Sequence, residues 1–305
     1  MARKIKTRKS PEERRTQAEA LQASIAEQVE QLRDSDSWRR FLDFSRSFHR
    51  FSFNNVALIL AQMPSATAVA GFRQWQAKGR QVRKGERAIR IYGYAQKKIA
   101  ADPNAEAAEG EQVETDEATG EKKITYFPIL SVFDLSQTDP VDPEADDPST
   151  IAHQLHGDDP LGIVDAVADY LAGRGWTLTR EPIRGGANGY TKTDGSRAVV
   201  VDCALSPAMA AKTALHEAAH VILHSDEDPS EYVEHRGTKE TEAESVAYVV
   251  AGTLGLDTTG YSIGYVAGWS QGDAALIKST AARVLSAAHT LADALTEQAE
   301  ATEAA

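Results

Sequence analysis

The segment Leu215-His-Glu-Ala-Ala-His-Val-Ile-Leu-His224 constrains this chain more than any other stretch in it. His216 and His220 are four residues apart, so on a helix they lie one turn apart on one face. Ala218, Ala219, Val221 and Ile222 supply an apolar setting for that helix. Ser206 caps it, Pro207 occupies its first position, and Asp228-Pro229 closes it. Two imidazoles so placed can hold one Zn²⁺ per chain, and Glu217 can reach water bound to the ion. The chemistry expected is zinc polarising a carbonyl and acidifying that water, with Glu217 taking its proton as general base.

An open zinc site needs a third protein ligand. His224 does not serve, because it lies about 12 Å from His216 along the helix axis at 1.5 Å per residue. It reads instead as a helix-end histidine facing the C-terminal dipole. The candidates are Glu240, Glu242 and Glu244, on the next helix. Glu240 and Glu244 share a face with small Ala243 and Ala247, which let two helices approach closely. Glu240 is the favoured ligand, with Glu244 hydrogen-bonding a ligating imidazole. Glu244 and Glu242 are the alternatives. Tyr232, His235 and Tyr248 are candidates for stabilising an oxyanion.

A chain of 305 residues is long for one core. Its net charge of −12 hides a division. Residues 1–98 carry roughly +12, residues 99–160 roughly −14 and the remainder roughly −10. Composition and turn signals divide it into a basic arm and helix over 1–34, a domain over 35–138 and a linker over 139–159. A second domain covers 160–290 and a low-complexity tail 291–305. Inside the first domain, residues 96–123 turn acidic and read as a flexible insertion between two paired strands. In the second, residues 190–201 read as a hairpin turning at Asp194-Gly195. The strand Ala198–Val201 is the expected one for aligning a peptide by strand addition in a mostly antiparallel sheet. The fold class expected is α+β throughout. With one cysteine, Cys203, no intrachain disulfide forms, which fits a reducing compartment. No secretory signal or membrane-length apolar run is present in the sequence, so the expected location is cytoplasmic, with no membrane partner.

The basic third contains Arg73, Lys78, Arg80, Arg83, Lys84, Arg87 and Arg90, interleaved with Phe72, Trp75, Tyr92 and Tyr94. Cations neutralise phosphates and exposed aromatics stack bases. The seven cations and Trp75 are therefore candidate nucleic-acid contacts. The alternative is that Trp75 and alternate strand residues are core and the cations a solvated face. The acidic insertion is positioned to compete with a polyanion for that face.

Two sets of motifs carry a resemblance. The His-Glu-x-x-His helix with Glu240 to Glu244 resembles the gluzincin metallopeptidases, in their ImmA-like and ArdC-like branch. Asn54–Gln62, Val69–Trp75, Gly79–Arg87 and Val132–Thr138 resemble the N-terminal domain of ArdC-like antirestriction proteins. The resemblance implies an N-terminal domain binding single-stranded DNA and a C-terminal zincin-like domain. The implied activity is a zinc-dependent metalloendopeptidase with a protein substrate, protecting or regulating mobile-element DNA in a bacterium, on a plasmid or phage. The competing expectations are a non-catalytic protein that masks incoming single-stranded DNA around a structural metal, and an ImmA-like anti-repressor protease.

Overall fold

The computed structural model describes residues 11–48, 50–98, 112–115, 122–141, 162–185, 187–192, 194–227, 236–256 and 273–303. Helix and strand are mixed, as expected of an α+β chain. The chain divides into two compact units, one of residues 1–26 with 57–145 and one of residues 27–56 with 146–305. Residues 1–10 of the expected arm and helix, most of the expected linker, and Tyr232 and His235 lie outside the described residues.

In the first unit, β1 (Val69–Gly71), β7 (Ile129–Asp134) and β3 (Ile89–Tyr92) form an antiparallel sheet ordered β1–β7–β3. Its buried face pairs Ile89 with Val132, both nearly inaccessible. A second pairing joins β2 (Arg80–Val82) to β8 (Thr138–Pro140), and α4 (Phe72–Ala77) follows β1 directly. Asp134 knits these pieces together. Its carboxylate accepts from the backbone N–H groups of Thr67, Ala68 and Ser136 and from the Ser136 hydroxyl. Burial alone would raise the pKa of Asp134, but these donors outweigh it and hold the pKa below the usual carboxylate value.

The acidic insertion is not wholly irregular, which corrects the expectation of a flexible loop. Within 96–123 and at its margins run β4 (Ala95–Lys98), β5 (Gln112–Thr115) and β6 (Lys122–Tyr126), in an antiparallel sheet ordered β4–β6–β5. Val113 and Ile124 are partners in its register. Alternation of that kind suits a strand despite the acidic composition around it.

The second unit is built on the sheet β10 (Gly189–Thr191), β11 (Ala198–Asp202) and β9 (Thr177–Glu181), in that order. The expected hairpin is β10 with β11. Pairing of β11 with β9 is parallel, however, so the sheet is mixed. Because β11 has a neighbour on each side, its backbone cannot take a further strand. Val199, Val200 and Val201 are all buried, as a central strand requires. The edges of this sheet are β9 and β10, and β10 is the one beside α6, which corrects the choice of Ala198–Val201 for strand addition.

Among the described residues the unit also holds α5 (Ile163–Ala172) and three long helices, α6 (Pro207–His224), α7 (Arg236–Thr253) and α8 (Ala274–Glu303). The last runs through the expected tail. Ala210, Ala211, Ala214, Ala218 and Ala219 of α6 and Ala243, Ala247 and Ala251 of α7 are inaccessible. Such small residues allow close packing of α6 on α7. Also packed here is α2 (Ser35–Ser47), capped by the Asp34 carboxylate, where the sequence division assigned it to the first domain. Its buried Trp38 donates to Ser245 Oγ of α7 at 3.1 Å. Facing side chains so remote in sequence leave no local signal.

Candidate metal centre

The helix α6 begins where its sequence says it should, with the Ser206 hydroxyl accepting from Met209 N–H and Pro207 in the first turn. One face then carries Lys212, His216, His220 and His224, each one turn beyond the last. The opposing face of α7 carries Glu244 and Glu240. As residue numbers rise along α6 they fall along α7, so basic groups and carboxylates interleave.

His216 Nε2 lies 3.0 Å from His220 Nε2. Glu240 Oε2 is 3.5 Å from the first and 3.8 Å from the second. These three edges average about 3.4 Å, which is the ligand–ligand spacing of a tetrahedral ion with bonds of about 2.0–2.1 Å. The three residues could hold a metal ion, and among the described residues they are the only such group. His220 is buried, while the Glu240 side chain is 42% exposed, so the group opens to solvent on the Glu240 side.

Glu244 accompanies them without joining the triangle. Its Oε2 is 3.1 Å from His216 Nδ1 and its Oε1 is 3.0 Å from Lys212 Nζ. Burial, the largest single influence on His216, works against a charged ring. The carboxylates of Glu240, Glu244 and Glu217 together outweigh it and push the His216 pKa up to about 9. Carboxylates gathered this tightly call for a cation, and a proton on His216 supplies one.

Glu217 is buried, and its Oε2 accepts a 2.8 Å hydrogen bond from Thr191 Oγ1 on β10. That strand lies close against α6. A Cβ on Gly189 would stand 2.6 Å from Thr213 Cγ2, 3.0 Å from Val200 O and 3.4 Å from Glu217 Cγ. Asn188, Met209, Lys212 and Thr213 line a cavity of about 230 Å³ that reaches His216 and Glu217.

Glu242 is placed elsewhere. Its side chain is inaccessible, 3.6 Å from His224 Nε2 and 3.5 Å from Arg283 Nη2. Burial raises its pKa to about 7 and lowers that of His224 to about 4. Between those values both are neutral, so His224 is no cation for a helix dipole, contrary to expectation. Glu227, Lys239 and Arg283 complete this second cluster. Tyr248 is 4% exposed and donates to Asp43 Oδ1 at 2.6 Å, and Arg46 lies 4.1 Å over its ring. It is therefore bound up in packing against α2 and unsuited to stabilising an oxyanion.

The expected nucleic-acid contacts separate by exposure. Arg73, Lys78, Lys84 and Arg87 are exposed. Arg83 is exposed but paired with Glu86 and Asp139. Arg90 is partly buried and donates to Ser131 Oγ. Trp75 and Arg80 do not meet the expectation. Trp75 is 4% exposed with its Nε1 donating to Phe133 O, and Arg80 is buried with its guanidinium on Thr138. The aromatic surface lies instead on Phe72, Tyr94, Tyr126 and Phe127. Tyr94 and Phe127 form an edge-to-face pair at 6.1 Å, with Tyr94 65% exposed. Phe127 lies outside the basic run, which is why the sequence pattern passed it over.

Residues 15–133 match the family model for the N-terminal domain of anti-restriction factor ArdC. The chain is also similar to uncharacterized protein pXO2-81 of Bacillus anthracis, with 28% identity over 253 residues. That match takes in 75% of this chain and 42% of the relative, so the chain spans about two fifths of the protein it resembles. Two crystal structures of the antirestriction ArdC protein from plasmid R388 are similar as well. The metal-free one has 23% identity and a TM-score of 0.45, covering 81% of this chain and 84% of its own. The Mn(II)-bound one has 21% identity and a TM-score of 0.43, covering 81% and 87%. No helix among the described residues is long and apolar enough to cross a membrane. The family match lies on residues 15–133, less than half of the chain.

Proposed function

We propose that this chain is a DNA-binding metallopeptidase of the ArdC-like antirestriction kind. It would hold one divalent metal, Zn²⁺ by the nature of its ligands, on His216, His220 and Glu240. The observation that carries the reading is the convergence of those three donors beside a buried carboxylate, Glu217. Bound there, the ion would acidify a water in its open position and polarise a peptide carbonyl. Glu217 would serve as the general base for a water at the site and as the proton donor to the leaving nitrogen. Thr191 holds one Glu217 oxygen by hydrogen bond and leaves the other for water.

The peptide lies along β10. Asn188 O and Lys192 N–H are bonded to β11, at Asp202 N–H and Ala198 O. By antiparallel alternation, the N–H and C=O groups of Gly189 and Thr191 then point to the open edge. A substrate strand pairing there passes over Glu217, with one side chain in the neighbouring cavity.

The first unit supplies the DNA contact. Arg73, Lys78, Lys84 and Arg87 offer phosphate contacts, and Phe72, Tyr94 and Phe127 offer faces for unpaired bases. The match of residues 15–133 to an ArdC N-terminal domain supports this part.

Two assays test the proposal. Protein stripped with a chelator and reloaded should bind about one Zn²⁺ or Mn²⁺ per chain, and should cleave members of an extended-peptide library. Glu217→Gln should keep the metal and lose cleavage. Equal cleavage by Glu217→Gln would rule out the mechanism. A second reading is a non-catalytic protein that masks single-stranded DNA, and it is supported by the family match falling on the N-terminal part alone. Under it, Glu217→Gln protects DNA from restriction as well as the unaltered chain does.

A further inference from the structure

On the reading that His216 is a metal ligand, we infer that Lys212 is a positioning residue of the centre. It acts through Glu244 to fix which nitrogen of His216 faces the ion.

The interleaved faces of α6 and α7 carry the inference. Lys212 Nζ lies 3.0 Å from Glu244 Oε1, and Glu244 Oε2 lies 3.1 Å from His216 Nδ1. One carboxylate therefore bridges a fixed cation and the ring nitrogen that faces away from the other ligands. His216 Nε2 is the atom turned to His220 and Glu240. A carboxylate at Nδ1 favours a proton there and leaves the Nε2 lone pair for a metal.

Glu244 has two oxygens and several ways to turn them. Lys212 occupies one, so the other stays on His216. The contact is also sheltered, with side-chain exposures of 21% for Lys212 and 15% for Glu244. An ion pair so placed is screened less than a surface pair. Lys212 and His216 stand four residues apart on one face of α6. Glu244 meets both, so the three groups act as a unit. Nothing in the His-Glu-x-x-His spacing marks Lys212, since it lies outside the motif.

The test uses the full chain and Zn²⁺ alone, titrated in competition with a chromophoric chelator. Loss of a group that orients a ligating histidine costs about 10–100-fold in metal affinity. Lys212→Met should weaken Zn²⁺ binding by about 10-fold, and Lys212→Arg should restore it to within about 3-fold. Glu244→Gln should weaken it by about 10–100-fold, and adding Lys212→Met to it should cost little more. Nitrogen-15 spectra of the Zn²⁺-loaded chain should show His216 protonated at Nδ1 and bound through Nε2, and a mixture of bound forms in Lys212→Met. Circular dichroism checks the fold, and Lys212→Gln repeats the measurement with a shorter neutral side chain. Unchanged affinity in both neutral variants, or full additivity with Glu244→Gln, would overturn the role of Lys212. An unaltered chain that binds no Zn²⁺ would remove the centre itself, and this role with it.

Discussion

Two clusters of imidazole and carboxylate sit on the same pair of helices and behave in opposite ways. Around His216, three carboxylates outweigh burial and hold the ring charged up to about pH 9. Around His224, burial prevails and the ring stays neutral down to about pH 4, beside a Glu242 neutral up to about pH 7. The residue types are nearly the same. What differs is access to water and which cations are already present. Lys239 and Arg283 answer the carboxylates of the second cluster, which therefore needs no ion. In the first cluster Lys212 answers Glu244, while Glu240, 42% exposed, turns its carboxylate to the imidazoles. One cluster is thus suited to take up a cation and the other to hold three helices together.

The contrast breaks most visibly at the carboxylates. Glu240→Ala should weaken Zn²⁺ binding by more than the roughly 100-fold ascribed to outer groups, while Glu242→Ala leaves it within a few-fold. Chelator competition on both variants measures this, and equal losses would erase the distinction. Unfolding should reverse the ranking. Glu242→Ala strands buried partners at a cost of about 1–3 kcal/mol, whereas exposed Glu240 costs little.

The pH profile sharpens the contrast. The His216 pKa is raised on folding, so in metal-free protein its contribution is complete below about pH 6.5 and is lost as pH rises through about 9. That of His224 is lowered, so its contribution is present above about 6.5 and is lost as pH falls through about 4. Glu242 runs against His224, contributing below its ordinary 4.5 and losing that as pH rises through about 7. Urea unfolding of metal-free protein should therefore show stability nearly level from pH 4.5 to 6.5 and falling toward 9. Metal affinity should climb over that same upper range, because a proton must leave His216 for an ion to bind. A flat affinity profile from pH 6.5 to 9 would contradict the high His216 pKa. The smallest effect is Glu242→Gln. It replaces a group already half neutral near pH 7 by a neutral isostere, and unfolding should shift by no more than about 1 kcal/mol.

The candidate centre was legible in the sequence because it is written in short-range spacing. A spacing of four between imidazoles and of four between glutamates each defines one face of one helix, and the structure sets those faces together. Several features lay beyond such reading. Whether β10 or β11 is the open edge depends on β9, some twenty residues upstream, pairing with β11 in parallel. Trp75 has a basic neighbourhood in sequence and a buried one in space, where its indole meets Phe133 O. Lys212 matters only through Glu244, on another helix. α2 reads as part of whatever follows it along the chain, and its partner Ser245 lies 207 residues away. Contacts between distant segments are invisible to local periodicity, and here they decide the sheet edge and the assignment of α2.

The short length of β10 has a further consequence. Three residues place only Gly189 and Thr191 outward, so an incoming backbone gains a few hydrogen bonds and no more. At that edge, copies of the chain find little purchase for stacking, which longer bare edges invite. It also limits how much affinity main-chain pairing can lend to any one substrate. On the proposed reading, selectivity then comes from a side chain in the cavity beside Gly189, whose missing Cβ lets β10 lie close against Thr213 and Glu217.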